Sequence, residues 1–323
     1  MELSAMSTGT WTRIAFCGVQ RLQQRIISIA AMRTISTNIA KLFSISLTKD
    51  SSSRQANFLE KACRVAIFLI RNQIPWTLHR ICDIFFLLIE RGRIEVVNSL
   101  RFYMRDTAKS TLGTDHPLYQ IYTLISLADV DTLQHLLSET WQCAIDSFGK
   151  RLGHFQHNNV VSQVDLIDRV YGIKDCVQAE TRLSNLLSDC EIGAGHTTRN
   201  TLYILSRMGW LHLSQSNPYE AKAVGRDLVR RALRIKKLTY ANNGLELVAR
   251  AHHASAKHPS AERTLQIAID MVERYCGTKD PWWMRSMLLL EGWLREWQRY
   301  DDAEELQADI DRIMGEDEDG WTM

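Results

Sequence analysis

Apolar residues recur along this chain at the three- and four-residue intervals of an α-helix, with polar residues between them. Over residues 58–72, Leu59, Ala62, Ala66, Leu69 and Ile70 share one face, while Glu60, Lys61, Arg64 and Arg71 lie elsewhere. Residues 81–89 are almost continuously apolar but include Asp83, and nine residues fall well short of the roughly 20 that a membrane helix needs, so the run reads as a buried helix. Near the C-terminus, Trp283, Met287, Leu290, Leu294 and Trp297 follow spacings of 4, 3, 4 and 3. The pattern predicts helices over 58–72, 76–90 and 94–110, then five helix pairs. These are 118–128 with 131–150, 157–171 with 175–190, 197–214 with 218–237, 241–254 with 259–274, and 282–297 with 301–313.

The breaks between helices are themselves periodic. Leu112-Gly-Thr-Asp-His116-Pro117 returns as Leu152-Gly153-His154, as Ile192-Gly193-Ala194-Gly195-His196 and as Cys276-Gly277-Thr278-Lys279-Asp280-Pro281. Gly113, Gly153, Gly193 and Gly277 are 40, 40 and 84 residues apart, the last interval being two periods with one copy lost. A second ladder, Ala179, Ala221, Ala261 and Ala303, advances by 42, 40 and 42. Two markers with one period indicate a stacked array of helical repeats. A glycine in the left-handed conformation closes one helix, and a proline shortly after starts the next at a position whose N–H is not needed. Gly113 with Pro117 and Gly277 with Pro281 keep both parts of that device. Gly209, Ala249 and Gly292 precede ladder alanines by 12, 12 and 11 residues, which would let the helices of a pair approach closely.

Composition narrows the class further. An apolar share of 45% and a charged share of 24% suit a folded globular chain, and a net charge of +2 supplies no global field toward nucleic acid or membrane. Seven cysteines without a C-x-x-C pair argue for reduced thiols in an intracellular protein, in nucleus or cytoplasm. Residues 1–57 are expected to form a weakly ordered basic arm with some helix, and residues 1–49 carry six basic side chains against Glu2 alone. That composition also fits a mitochondrial presequence, which makes the mitochondrion the alternative compartment. The repeat domain is expected to cover 58–314 and an acidic tail 315–323, with ten carboxylates against Arg312 from residue 301 onward.

The repeat markers are those of a tetratricopeptide-like array, and the 40–42 residue unit with Leu-Gly-x-x-His-Pro resembles that of kinesin light chains. Leu112 to Leu118, Glu139-Thr-Trp141-Gln-Cys143, Phe148 to Gly153, Asp165 to Val170 and Asn217-Pro-Tyr219-Glu-Ala221 resemble more closely the C-terminal helical region of fungal proteins of the cryptic-loci-regulator family. The resemblance spans residues 58–314 and implies an all-α solenoid, a right-handed superhelix of antiparallel helix pairs. It also implies a gene-regulatory role through protein partners. Residues 1–57 contain only Trp11 and lack the family's N-terminal DNA-binding-like module of spaced tryptophans and a basic helix.

Lys222, Arg226, Arg230, Arg234 and Lys237 are spaced 4, 4, 4 and 3, a basic stripe opposite Val224, Leu228, Ala232 and Ile235. Such a stripe fits either an acidic partner or a solvated face paired with acids on a neighbouring helix. Trp282 and Trp293 are expected to be partly exposed, as an aromatic edge for docking. Solenoid geometry nominates Tyr122, Arg199, Tyr203, Arg207 and Arg285, on first helices, for a concave groove that takes a protein or peptide partner. His252, His253 and His258 have no carboxylate or thiol at ligand spacing, so no metal is assigned, and no cofactor or catalytic motif is found. The expected function is a non-enzymatic interaction scaffold in a fungal transcription-related pathway. The alternative is a mitochondrial helical-repeat protein that binds RNA or an assembly factor; nucleic acid has no motif to support it.

Overall fold

A computed structural model describes residues 77–172 and 174–315. Within them lie twelve helices: α1 (Thr77–Glu90), α2 (Ile94–Leu112), α3 (Pro117–Leu127), α4 (Val130–Leu152), α5 (His157–Val170), α6 (Cys176–Ala194), α7 (Arg199–Ser214), α8 (Pro218–Arg234), α9 (Leu238–Ala254), α10 (His258–Cys276), α11 (Pro281–Glu296) and α12 (Tyr300–Gly315). Within each of two units, consecutive helices separated by short turns pack on one another, so the chain is an all-α, tetratricopeptide-like helical repeat. The helix expected over 58–72, the arm 1–57 and residues 316–323 lie outside the described residues. Contacts divide the chain at the turn between α5 and α6, into a unit that ends at Val170 and one that begins at Tyr171.

Two kinds of turn set the period. At Gly113, Gly153, Gly195 and Gly277, φ is 87, 96, 103 and 86° with ψ of 168, 138, 158 and 169°. This is not the left-handed helical cap expected from the sequence. Positive φ with extended ψ is open to glycine alone, because any Cβ collides with its own backbone. The third copy also shifts, since Gly193 is inside α6 and Gly195 makes the turn. After each glycine the chain runs a few residues to a helix start with a side-chain cap. His116 Nδ1 accepts from the Leu118 N–H at 3.2 Å and Asp280 Oδ1 from the Trp282 N–H at 2.8 Å, with Pro117 and Pro281 as the first helical residues.

The second kind has no sequence marker. Ser216, Lys236, Ala256 and Gln298 sit at φ of 56, 54, 53 and 62°, the left-handed region where a side chain costs about 1–2 kcal/mol. Each is stabilised by paired backbone hydrogen bonds. At Ala256, its own N–H donates to His253 O at 2.9 Å and the next N–H, of Lys257, to His252 O at 2.9 Å. Lys236 occupies the place of the lost glycine copy, so α8 stops at Arg234 instead of reaching 237.

In the first unit, Trp141 is fully buried, and its indole N–H donates to Ser162 Oγ at 2.8 Å. Asp83, the charge inside the apolar run of α1, is met by Arg169 Nε of α5 at 2.6 Å. Tyr122, nominated for the groove, is 1% exposed and belongs to this core, because α3 turns that face inward.

In the second unit the ladder alanines 179, 221, 261 and 303 are all fully buried. The small residues upstream act differently from expectation. A Cβ at Gly209 would come within 2.5 Å of Leu247 on α9, not of the paired helix, and Gly292 has nothing within 4 Å. The close backbone approach lies at Gly225 and Gly244, which join α8 to α9. A Cβ on Gly244 would lie 2.8 Å from Gly225 O and 3.0 Å from Val229 N.

Two stability changes follow. Gly244→Ala forces two backbones apart and should cost about 1–3 kcal/mol, the usual range for overpacking. Ala256→Gly relieves the turn and should add roughly 1 kcal/mol, raising Tm by about 2–4 °C. Thermal unfolding followed by circular dichroism checks both signs.

Candidate functional site

The first helices of the three pairs in the second unit, α7, α9 and α11, are tied together by one ionic and aromatic cluster. Its centre is Glu246 on α9, only 1% exposed. Glu246 Oε1 accepts from Arg250 Nε, one turn along the same helix, at 2.9 Å, and from Arg285 Nη2 of α11 at 2.9 Å. Oε2 has no hydrogen-bond partner among the described residues. A buried carboxylate is tolerated only when cations and donors replace its water, and two arginines from successive helices supply both.

Tryptophans flank the arginines. Trp210 of α7 faces the guanidinium of Arg250 at 5.2 Å and that of Arg285 at 6.0 Å, and Trp282 lies 5.4 Å from the Arg285 guanidinium. Those distances are in the range of cation–π attraction, which favours arginine over a tryptophan face. The arginine side chains remain open to solvent, Arg285 at 48% and Arg250 at 32%. Asn242, one turn before Glu246, is buried with both amide atoms unpartnered, and so is the Ser286 hydroxyl. Tyr203 and Arg207 lie half-buried on α7, Arg207 one turn before Trp210, and Arg199 is exposed at the start of that helix.

The expected aromatic edge is only half present. Trp282 is half-buried beside Arg285, but Trp293 is 5% exposed and belongs to the core. Its ring stacks on His253 at 4.5 Å, while Trp297 stacks on His258 at 4.8 Å. The imidazoles of α9 and α10 thus cover the tryptophans of α11. His253 Nε2 reaches Glu296 at 3.0 Å.

The basic stripe is shorter than its sequence spacing. Lys222, Arg226, Arg230 and Arg234 lie on α8, but Lys237 is the residue before α9 and leaves the row. Arg226, Arg230 and Arg234 are exposed and Lys222 is half-buried. Arg230 pairs with Asp227 on its own helix. Among the described residues no carboxylate pairs with Lys222, Arg226 or Arg234. The most engaged cation of α8 is off the stripe: Arg231 pairs with Glu191 of α6, with Asp227 Oδ2 at 2.7 Å, and donates to His196 O at 3.1 Å. These bonds hold the Arg231 guanidinium above its ordinary pKa despite partial burial.

Sequence reasoning nominated Arg285 and Trp282, which the structure brings together with three residues it did not nominate, Trp210, Glu246 and Arg250. Their spacing of four along α9, Glu before Arg, was the available signal for the last two. Among the described residues no group of three His, Cys, Asp or Glu side chains could hold a metal ion, and no helix is long and apolar enough to cross a membrane.

No family model matches the chain. Transmembrane protein 81 of Danio rerio is 28% identical over 193 residues, which is 58% of this chain and 68% of that protein. Among solved structures, a crystal structure of a Podosopora anserina putative kinesin light chain with nearly identical TPR-like repeats aligns with a TM-score of 0.46 and 14% identity, over 62% of this chain and 96% of that one. The repeat architecture described above rests on the chain's own period and helix pairing.

The histidines give the second unit a pH dependence. Burial, then Lys222, Arg226 and Lys257, hold His252 below the ordinary imidazole pKa. His253 is lowered by burial first; Glu296 raises it, and His258 and Arg250 lower it. Between the lowered folded values and the ordinary value of about 6.5, the unfolded chain binds more protons. Stability is therefore fully present above about pH 6.5 and falls as the pH drops below it. Denaturant midpoints measured from pH 7.5 to 5 should decline, and His252→Gln should flatten part of that decline.

Proposed function

We propose that this protein is a non-enzymatic interaction scaffold whose second unit holds a segment of a protein partner on the face shared by α7, α9 and α11. The observation that carries this reading is the cluster of Glu246, Arg250, Arg285, Trp210 and Trp282. Here two arginines converge from different helices, stay partly exposed and are backed by indole rings. Tryptophan and arginine together are the residue types that dominate the energetics of protein interfaces. Packing of the repeat does not require the outward-facing guanidinium edges of Arg250 and Arg285, whereas a binding face does.

The fungal, transcription-related setting is supported by the resemblance of residues 112–118, 139–143, 148–153, 165–170 and 217–221 to cryptic-loci-regulator proteins. In that setting the scaffold works through protein contacts and recruits or sequesters regulators. The domain organisation proposed is a basic arm, a repeat domain from 58 to 314 and an acidic tail.

Affinity capture of full-length protein from fungal nuclear extract, compared with Trp210→Ala and with the triple change Arg226→Glu, Arg230→Glu, Arg234→Glu, tests the placement. A defined set of partners lost with Trp210→Ala and kept with the triple change is the expected result. The reverse pattern assigns capture to α8 and removes the shared face from the function.

A further inference from the structure

Resting on that reading, we propose that the shared face is selective for an acidic peptide segment, with an aspartate or glutamate carboxylate seated on Arg250 and Arg285. A guanidinium carries five N–H donors. Arg250 uses Nε and Arg285 uses Nη2 on the same oxygen of Glu246, so each keeps donors that no described residue takes up. Glu246 therefore acts as an internal counter-ion: one buried carboxylate brings two cations together and leaves an excess positive charge at their outer edge. Planar guanidinium forks match carboxylates geometrically, and the fixed bridge to Glu246 removes much of the ordering that binding would otherwise require.

The aromatic rings narrow the ligand further. Trp210 and Trp282 lie against the guanidinium groups, so their remaining exposed edges border the anion position with apolar surface. A carboxylate on a peptide with apolar residues beside it fits both parts of that surface. A nucleic-acid backbone fits less well, because repeated phosphates need cations along a track, and Arg250 and Arg285 form a single focus with a carboxylate beneath it. The row of exposed cations on α8, of which Arg230 alone is paired, is the surface that a polyanion would choose.

Selection of a random-peptide display library on the full-length chain, followed by synthesis of the selected peptides, tests the proposal. Peptides enriched in Asp or Glu next to apolar residues are expected. Their affinity, read by fluorescence anisotropy at physiological salt, should fall roughly tenfold with Arg285→Gln, the range of one charge-assisted hydrogen bond. Replacing the peptide's acids by amides should weaken binding to a similar degree. Arg250 still pairs with Glu246 in Arg285→Gln, and Trp282→Ala leaves every ion pair in place; thermal unfolding of both variants by circular dichroism separates loss of binding from loss of fold.

Peptides that bind through Trp210 but show no acidic preference would overturn the carboxylate site and leave the scaffold intact. Failure to select any peptide would count against the scaffold itself. Tighter binding of a fluorescent 20-mer of poly(U) RNA, lost on changing Arg226, Arg230 and Arg234, would replace both with a polyanion surface on α8.

Discussion

Stacking of helix pairs depends on the chain reversing at fixed intervals, and at nine of the eleven turns between the described helices one residue takes positive φ. Eight of these turns fall into two chemical kinds. The glycine turns after α2, α4, α6 and α10 use a backbone region that no other residue can enter. The turns after α7, α8, α9 and α11 put Ser216, Lys236, Ala256 and Gln298 into a left-handed conformation and hold it with paired hydrogen bonds to the end of the preceding helix. The first kind leads through several residues to a capped helix start. The second closes in about three residues and brings successive helices close enough for Gly225 and Gly244 to meet.

Close packing on the interior side leaves the first helices to carry the chemistry. Positions 206 and 246 are one period apart and both buried, but one is a serine and the other a glutamate. The glutamate changes its surroundings, since it draws Arg250 and Arg285 together and fixes them over tryptophan rings. Isolated, the carboxylate would destabilise the fold; paired twice, it becomes the pivot of a preorganised surface. Leu288, one period further on, is exposed, so the same register position serves as core polar group, ionic pivot and open apolar surface in three successive helices.

The sequence made the architecture legible because helix periodicity and repeat period are one-dimensional signals. Residues 81–89 and the ladder alanines behave as their spacing suggested. Contacts between neighbouring repeats are not written in that way. Nothing in the one-dimensional pattern separates Gly225 and Gly244, which touch, from Gly292, which touches nothing. Trp282 and Trp293 lie eleven residues apart on one helix yet differ in exposure, because the imidazoles of His253 and His258 cover the later tryptophans from other helices. The α8 stripe ends early for a similar reason: the lost glycine was replaced by a turn that ordinary residues can make, and Lys237 fell beyond it. Glu246 and Arg250 were hidden as a common surface pair until Arg285 arrived from α11.

The two kinds of turn impose different histories on the chain. A glycine turn is a demanding position: any side chain forbids its backbone, so where the glycine is lost the turn has to be rebuilt in the other form, as it is at Lys236. A left-handed turn costs serine, lysine, alanine and glutamine, none of them branched at Cβ, about 1–2 kcal/mol each, so such residues can replace one another without forbidding the turn. Joints of the second kind allow successive repeats to diverge in sequence while their geometry stays constant, and α7, α9 and α11 are free to acquire different surfaces on an unchanged frame.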